Sequence, residues 1–126
     1  MLLFLKMVLF HKFKLFKSTF CASKKLEKNP QKKGFCLKVF TMNPKKPNSA
    51  LRAVVKCLLS NKKYLFCHIK GIGHKLQKHS NILIYGYRVR DLPLVNYRAV
   101  RGKFDLKPVL FRVSSRSKYG CKKIVF

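Results

Sequence analysis

Five short stretches in which apolar and polar residues alternate constrain the fold of this chain more than any other feature. They cover residues 36–42, 51–60, 64–69, 81–89 and 96–101. A period of two turns one side of each stretch toward a core and the other toward solvent, as in the β-strands of a small sheet. Gly86 interrupts the fourth stretch, as a barrel corner requires. The pattern predicts an all-β fold, either a five-stranded barrel like the oligonucleotide/oligosaccharide-binding (OB) fold or another small barrel.

The alternation also assigns residues to faces. The shared faces are Leu37, Val39 and Thr41 in the first stretch, Leu51, Ala53, Val55, Cys57 and Leu59 in the second, and Leu65, Cys67 and Ile69 in the third. Cys57 and Cys67 lie in apolar runs, so we expect small buried hydrophobic residues there. An odd number of cysteines without a CxxC pair argues against a disulfide framework and a zinc site. A bridge between Cys57 and Cys67 is the alternative, and it needs an oxidising compartment.

The loop at 43–52 carries cations on a stiff backbone. Pro44 and Pro47 fix their own φ and disfavour the α region at the residue before them. A stiff loop loses little entropy when it binds a partner. Cations beside amide and hydroxyl groups suit phosphates and ribose hydroxyls, and the alternative is a solvated turn between strands. The candidate contact residues are Lys45, Lys46, Asn48, Ser49 and Arg52.

The charge balance indicates the class of partner. Lys and Arg number 30 against three acids, a formal net charge of +27, so nearly every cation lacks an intramolecular partner. Self-repulsion on this scale destabilises a compact free state, and a polyanion relieves it. Nucleic acid fits this role, and an anionic membrane surface is the alternative. The scattered acids and histidines form no general acid–base pair, so no enzymatic activity is expected.

The loop at 71–80 and the C-terminal tail are further candidate contacts with nucleic acid. The loop lacks the third glycine of a dinucleotide fingerprint, and its two histidines have no obvious third metal ligand. We therefore predict no metal and no cofactor, and a loop that is structural or faces RNA. The tail is basic and aperiodic, like an arm that orders on nucleic acid. Candidate RNA-binding residues here are His74, Lys75, His79, Arg116, Lys118, Tyr119 and Lys122.

The chain divides into an N-terminal extension (1–28), the barrel with its loops (29–111) and the basic tail (112–126). In the extension Leu2, Leu5, Leu9, Phe13, Phe16 and Phe20 recur at helical spacing. We expect a helix in residues 1–20 that docks on a neighbouring protein with its lysines toward RNA. An extended arm and a membrane-surface helix are alternatives. This stretch is too short and too charged to span a membrane, and residues 21–34 are interpreted as a polar linker.

Several motifs occur in order along the chain: NPQKKG (29–34), PKKPNSALR (44–52), GHxLQxHS (73–80), RVRDLP (88–93), VRG (100–102) and RSKYG (116–120). On these motifs residues 29–123 resemble the universal S-twelve family of small-subunit ribosomal proteins. The resemblance implies an OB-like barrel at the decoding centre, extensions buried in rRNA, and two loops that judge codon–anticodon pairing. The implied partners are small-subunit rRNA, the nearby mRNA–tRNA pair at the A site, and neighbouring ribosomal proteins.

The resemblance also implies roles by position. Lys45 matches a lysine whose replacement in the family alters accuracy, and Pro47, Asn48 and Ser49 would lie beside the codon. The second accuracy loop would include Arg88, Arg90, Asp91 and Pro93, and the other motifs add Lys32, Lys33 and Arg101 as RNA contacts. The family usually has Lys at the position of Arg90 and Gly at that of Leu94. We expect the second loop to keep its place and to differ in local contacts.

The compartment and the alternative function depend on other features. The first 28 residues do not match the family's basic arm, and Lys and Phe are abundant, which favours a mitochondrial ribosome over a plastid or bacterial one. The alternative function is a free module that binds single-stranded nucleic acid through its OB surface. Its candidate stacking residues are Tyr64, Tyr85, Tyr87 and Tyr97.

Overall fold

The computed structural model describes residues 24–125 and shows a closed barrel of five strands within them. The strands are β1 (Gln31–Met42), β2 (Arg52–Leu59), β3 (Tyr64–His68), β4 (Asn81–Gly86) and β5 (Tyr97–Ala99), with 3-10 turns at Lys24–Leu26 and Arg116–Tyr119. They close in the order β1-β2-β3-β5-β4, and only the β3–β5 pair is parallel. The predicted all-β, five-stranded barrel is confirmed.

The N-terminal extension is covered only from residue 24 onward. The helix predicted for residues 1–20 and its docking on a neighbouring protein therefore lie outside the described residues. Within 24–125 no helix has the length and hydropathy that crossing a membrane requires.

β1 closes the barrel because it is long enough to pair on both sides. Residues 31–35 pair with β4, and residues 34–42 pair with β2. The interpretation of 21–34 as a linker is therefore wrong for 31–34, since β4 supplies a strand partner that the local sequence does not reveal. Gly34 lies where both pairings meet, and a Cβ there would be 3.0 Å from the Leu58 carbonyl oxygen. A side chain at this position would push the neighbouring strand away.

A register shift between Cys36 and Lys38 changes which β1 residues face the core. Simple alternation puts Cys36 and Val39 on opposite faces, yet both pack into the main core. An extra residue in one strand reverses the alternation beyond it. The main chain of Cys36 bonds the segment before β4: its N–H donates to the Ser80 carbonyl oxygen at 2.8 Å, and its carbonyl oxygen accepts from the His79 N–H at 2.7 Å.

The core has two parts, and the second one shapes a loop. The main cluster fills the barrel and contains Val55, Cys57, Leu59, Leu65, Cys67 and Ile69, as the alternation predicts. Leu51 is 71% exposed, so its predicted place on that face is wrong, because β2 begins only at Arg52. The second cluster consists of Val54, Val89, Leu92 and Val95, with Phe40 and Met42 packed against it. Three of these residues belong to the loop after β4, which the cluster holds to the barrel.

The cysteines of the main core are unbridged thiols. Cys57 and Cys67 are fully buried, as predicted, and their sulfur atoms lie 3.1 Å apart. Cys36 is buried in the same cluster. These side chains act as small hydrophobic residues of the core.

The C-terminal segment folds back against the barrel. The Val109 N–H donates to the Tyr119 carbonyl oxygen at 3.2 Å, and the Cys121 thiol bonds the Val109 carbonyl oxygen. Gly120 approaches the Arg101 main chain so closely that a Cβ at 120 would lie 2.6 Å from the Arg101 carbonyl oxygen. The tail, predicted as an arm that orders on nucleic acid, is tied to the barrel at 116–121 by the protein itself.

We expect Gly120→Ala to destabilise this junction well beyond Gly73→Ala. Both glycines have φ near +70°, at 69° and 70°, so backbone strain costs about 1–2 kcal/mol at either position. A Cβ at Gly73 meets nothing within 4 Å, whereas the clash at Gly120 adds a further 1–3 kcal/mol, on the order of other overpacked sites. Limited proteolysis of the two variants side by side, with cleavage in the tail as the readout, compares their stability. Equal protection in the two variants would contradict the prediction.

Candidate nucleic-acid interface

Two loops from distant parts of the sequence are joined by main-chain and side-chain contacts. We call residues 43–51 the proline loop and residues 87–96 the second loop. The Lys45 N–H donates to the Asp91 carbonyl oxygen at 2.9 Å, and the Asn48 N–H closes a turn on the Lys45 carbonyl oxygen at 3.1 Å. Arg52 Nε lies 3.2 Å from Asp91 Oδ2. These contacts of Lys45 and Arg52 with Asp91 bring the two sets of predicted loop residues together. Within the proline loop, the peptide bond between Lys46 and Pro47 is cis.

The second loop is anchored from inside the barrel. Val89, Leu92 and Val95 are buried, and the Val89 N–H donates to the Val95 carbonyl oxygen at 3.1 Å. The Tyr87 N–H donates to the Asn96 carbonyl oxygen at 3.0 Å. The residues between the anchors, Arg88, Arg90, Pro93 and Leu94, are exposed. Apolar side chains hold the backbone in place, and the side chains of Arg88 and Arg90 extend to solvent.

Leu94 takes a backbone conformation that favours glycine. Its φ is 65°, and its side chain is 86% exposed. A leucine in this left-handed region costs roughly 1–2 kcal/mol relative to the right-handed one. The closed hydrogen bonds around it, together with the buried anchors, hold the loop in the turn despite this strain.

A concavity of about 360 Å³ lies between the two loops and is lined by residues of both. Its lining consists of Lys45, Lys46, Pro47, Asn48, Tyr87, Arg88, Val89, Arg90, Asp91 and Arg98. Five of these residues are cations and one is an acid, which already faces Arg52. The surplus positive charge makes the concavity attractive to anions.

Arg98 lies outside every motif of the sequence that predicts a nucleic-acid contact, and Tyr87 is predicted only as a stacking residue of the alternative function. The Arg98 guanidinium carbon lies 3.6 Å from the centre of the Tyr87 ring, and the Tyr85 ring meets the Tyr87 ring edge-on at 6.5 Å. Arg98 stands opposite Tyr85 in the β4–β5 register. Burial, and next the charge of Arg98, lower the pKa of His68, which stands opposite Arg98 in β3. The pairing of β4 with β5 creates this cluster, and no local motif reveals it.

The lysines predicted in β1 have partners within the chain. Lys32 forms an ion pair with Glu27, and the ammonium group of Lys33 lies 5.2 Å from the centre of the Phe104 ring. Hydrogen bonds from Lys32, Asn61 and Lys63 lower the pKa of Glu27 to about 2. The carboxylate therefore stays charged at neutral pH, so part of the charge of Lys32 is compensated by the protein.

The histidines of the 71–80 segment differ in their surroundings. His79 has φ 69°, and its ring stacks on Phe35 with 6.4 Å between the ring centres. Burial, and next the charge of Arg101, lower the pKa of His74. All three predicted contacts of this segment, His74, Lys75 and His79, are nevertheless exposed to solvent, so each remains accessible to a partner. Within 24–125, no three His, Cys, Asp or Glu side chains are grouped to hold a metal ion.

Arg101, predicted as an RNA contact, is instead 7% exposed and bonded to the protein. Its Nε donates to the Lys70 carbonyl oxygen at 2.8 Å, Nη2 to the Gly73 carbonyl oxygen at 2.7 Å, and Nη1 to the Lys107 carbonyl oxygen at 3.3 Å. Burial lowers the pKa of the guanidinium, which nonetheless stays charged because an arginine pKa starts so high. The geometry gives Arg101 a structural role, in which it joins the 70–73 segment to the chain that leads into the tail.

The tail forms a second basic surface around one aromatic ring. The Arg112 guanidinium carbon lies 4.1 Å and the Lys70 ammonium group 5.2 Å from the centre of the Tyr119 ring. Lys118 and Lys122 are exposed, and Arg116 is half-buried. Tyr119 thus supports cations that flank it, and the predicted residues Arg116, Lys118 and Lys122 present charge to solvent.

Comparison with known proteins identifies a related family. The family model described as "Ribosomal protein S12/S23" matches residues 20–124. The chain is 55% identical over 98 residues to the small ribosomal subunit protein uS12c of Eimeria tenella, and the aligned region covers 78% of this chain and 82% of that protein. It is 56% identical over 96 residues to the small ribosomal subunit protein uS12c of Toxoplasma gondii, and the aligned region covers 76% of this chain and 79% of that protein.

Proposed function

Because the chain belongs to the ribosomal protein S12/S23 family, we propose that it is a structural constituent of the small ribosomal subunit that binds rRNA at the decoding centre. In this position its two loops contribute to the accuracy of translation beside the mRNA–tRNA pair of the A site. The family membership supports a structural, non-catalytic role.

The observation that carries the decoding role is the bond between the loops. The Lys45 N–H donates to the Asp91 carbonyl oxygen, and the second cluster anchors the second loop from below. The two loops therefore form one rigid unit whose cations and small polar groups point outward. A preorganised surface binds without a large loss of entropy, and a rigid surface responds sharply to small shifts of its RNA partner.

The proposed mechanism has an electrostatic and a geometric part. The exposed cations displace counterions from rRNA, which supplies affinity that falls steeply with salt. The loops then make contacts that differ between open and closed arrangements of the subunit, and such differential contacts shift the population toward one of them. We assign the loop contacts to Lys45, Lys46, Pro47, Asn48, Ser49, Arg52, Arg88, Arg90, Asp91 and Pro93.

The remaining predicted contacts divide by exposure. We propose that Lys33, His74, Lys75, His79, Lys118 and Lys122 contact rRNA through exposed side chains, and that the half-buried Arg116 adds a phosphate contact in the tail. Tyr119 supports the cations that flank it. Lys32 shares its charge with Glu27. Arg101 holds backbone carbonyls and contributes to the site by positioning the tail.

The ribosome in question is that of an organelle. Both relatives carry the plastid-type name uS12c. The mitochondrial ribosome expected from the N-terminal sequence has no support from these relatives. We therefore favour the plastid alternative. Docking of residues 1–20 on a neighbouring ribosomal protein remains part of the proposal, on the basis of their apolar stripe.

The alternative of a free single-stranded nucleic-acid-binding module loses part of its basis in the structure. Tyr97 is only 7% exposed and cannot offer an open ring face to a base. Arg98 lies against one side of the Tyr87 ring, whose residue is 47% exposed. A sequence-tolerant binder depends on open ring faces, and the barrel offers fewer of them than the four candidate tyrosines suggest.

Sedimentation tests the proposed function. Organelle lysate is run on sucrose gradients at low and at high salt, and the chain is detected in each fraction. We expect it to migrate with small subunits at both salt concentrations, since many simultaneous contacts hold an integral protein. Movement to the top fractions at moderate salt would contradict integral assembly and with it the decoding role.

We expect neutralisation of Arg116 and Lys118, as the double variant Arg116→Gln/Lys118→Gln, to lower incorporation into the subunit severalfold without a change in accuracy. Both residues lie in the tail, and phosphate contacts position a protein on RNA but do not read its pairing. The ratio of this chain to another small-subunit protein in purified particles measures incorporation. Normal incorporation of the double variant would rule out this role for the tail.

A further inference from the structure

We propose that the concavity between the two loops is a binding pocket for a single RNA phosphate, and that Arg98, held on the Tyr87 ring, is its principal ligand. The inference rests on the proposed function for the source of that phosphate, a phosphodiester of small-subunit rRNA. It adds two residues to the interface, and neither belongs to a motif of the family resemblance.

The lining of the concavity is strongly positive. Lys45, Lys46, Arg88, Arg90 and Arg98 line one concavity of about 360 Å³, a size that admits a phosphate group together with its sugar linkages. The one acid in the lining has its carboxylate 3.2 Å from Arg52 Nε. The cations of the lining therefore lack a compensating anion from within the described part of the chain, and an anion in the pocket supplies it.

The Arg98 side chain is preorganised by its contact with Tyr87. An arginine side chain has several rotatable bonds, and fixing it normally costs entropy on binding. Here the guanidinium carbon already lies 3.6 Å from the centre of the Tyr87 ring, and the Tyr85 ring meets Tyr87 edge-on. This cation–π contact restricts the arginine side chain before any ligand binds, and the planar fork of a guanidinium matches the oxygens of a phosphate.

Partial burial of Arg98 strengthens its interaction with an anion. Within residues 24–125 the Arg98 side chain is half-buried, and its Nε is covered by the protein without a hydrogen-bond partner. A ligand in the concavity therefore meets the remainder of the guanidinium, and charge-assisted hydrogen bonds from an arginine to a phosphate are strong.

Phosphorothioate interference tests the pocket directly. Small-subunit rRNA with random sulfur substitutions at non-bridging oxygens is reconstituted into subunits with the tagged full-length chain, tag-bound particles are isolated, and iodine cleavage maps the excluded positions. With the unaltered chain, a discrete set of nucleotides should be excluded. With Arg98→Gln, we expect one or two adjacent nucleotides to leave this set. The affinity for rRNA should also fall about tenfold or more, and the slope of log K against log salt should decrease by about 0.9 or less.

Paired variants separate the pocket from a general loss of charge or of folding. Tyr87→Phe keeps the stacking face and should give the unaltered pattern, whereas Tyr87→Leu should release the same nucleotides as Arg98→Gln. Arg112→Gln removes another tyrosine-stacked arginine outside the pocket, and it should leave those nucleotides excluded. Arg98→Lys keeps the charge without the fork and should restore the salt slope but not the interference.

The outcomes for the pocket differ from those for the proposed function. An interference pattern unchanged by Arg98→Gln and by Tyr87→Leu, in subunits that contain the variants, overturns the pocket and leaves the proposed function intact. Failure of the unaltered chain to enter the particles overturns the proposed function itself. If the Arg98→Gln variant does not assemble into subunits, the comparison of Tyr87→Phe with Tyr87→Leu tests the pocket. Identical interference patterns for these two variants would overturn the proposed phosphate pocket.

Discussion

Lys45→Gln is expected to change the frequency of miscoding severalfold while the amount of the protein in small subunits stays near normal. The Lys45 side chain is exposed and lines the concavity between the loops. Its structural contribution comes from the main chain, through its N–H to Asp91 and its carbonyl oxygen to Asn48. The substitution therefore removes a charged contact with RNA and keeps the bond that joins the loops.

A reporter with near-cognate codons in a translation system that contains the variant subunits measures this effect. The matched control is Lys62→Gln, an exposed lysine in the turn between β2 and β3, which should leave accuracy unchanged. Unchanged accuracy with Lys45→Gln in fully assembled subunits would remove the main support for a decoding role. A loss of protein from the subunit would show instead that the side chain serves assembly.

Arg101→Gln is expected to destabilise the protein by at least about 3 kcal/mol and to deplete it from small subunits. A single guanidinium holds the carbonyl oxygens of Lys70, Gly73 and Lys107, and hydrogen bonds to a charged group contribute about 1.5–3 kcal/mol each. Glutamine is shorter and cannot reach the three acceptors together. Gly120 also packs against the Arg101 main chain, so the loss loosens the start of the tail as well.

Two measurements distinguish this structural role from the RNA contact that the sequence suggests. Proteolytic susceptibility of the tail reports stability, and the salt dependence of rRNA binding reports phosphate contacts. Arg101→Gln should raise the proteolytic susceptibility of the tail and leave the salt slope of rRNA binding unchanged. Arg88→Gln, at an exposed position of the second loop, should lower the salt slope and leave the proteolytic susceptibility of the tail unchanged. A reduced salt slope for Arg101→Gln with normal resistance to proteolysis would restore Arg101 as an RNA ligand.

Much of the barrel is predictable because its signal is local. A strand with one buried face shows an alternation that can be seen without its partners, and Val55, Cys57 and Leu59 follow it. Leu51 does not follow the alternation, because it belongs to a loop and β2 begins at Arg52. Residues 31–34 show no alternation yet form a strand, because they pair with β4 about 50 positions further along the chain. The start of a strand depends on where its partner begins, and that partner lies far away in the sequence.

The candidate interface likewise has features that are visible in the sequence and features that depend on the fold. Prolines, cations and small polar residues mark both loops in the sequence, because stiffness and charge belong to the residues themselves. The bond between Lys45 and Asp91 and the stacking of Arg98 on Tyr87 exist only because the barrel closes and pairs β4 with β5. Arg101 shows the opposite case, since a cation in a basic motif becomes a buried structural group once three carbonyl oxygens converge on it.

Alternation, proline geometry and net charge indicate the fold class, the two loops and an anionic partner without any structure, because they act over a few residues or over the chain as a whole. The closure of the barrel, the register shift in β1, and the burial or stacking of individual cations appear only in the folded protein. These features depend on contacts between residues tens of positions apart, and such contacts form only when the whole core is packed.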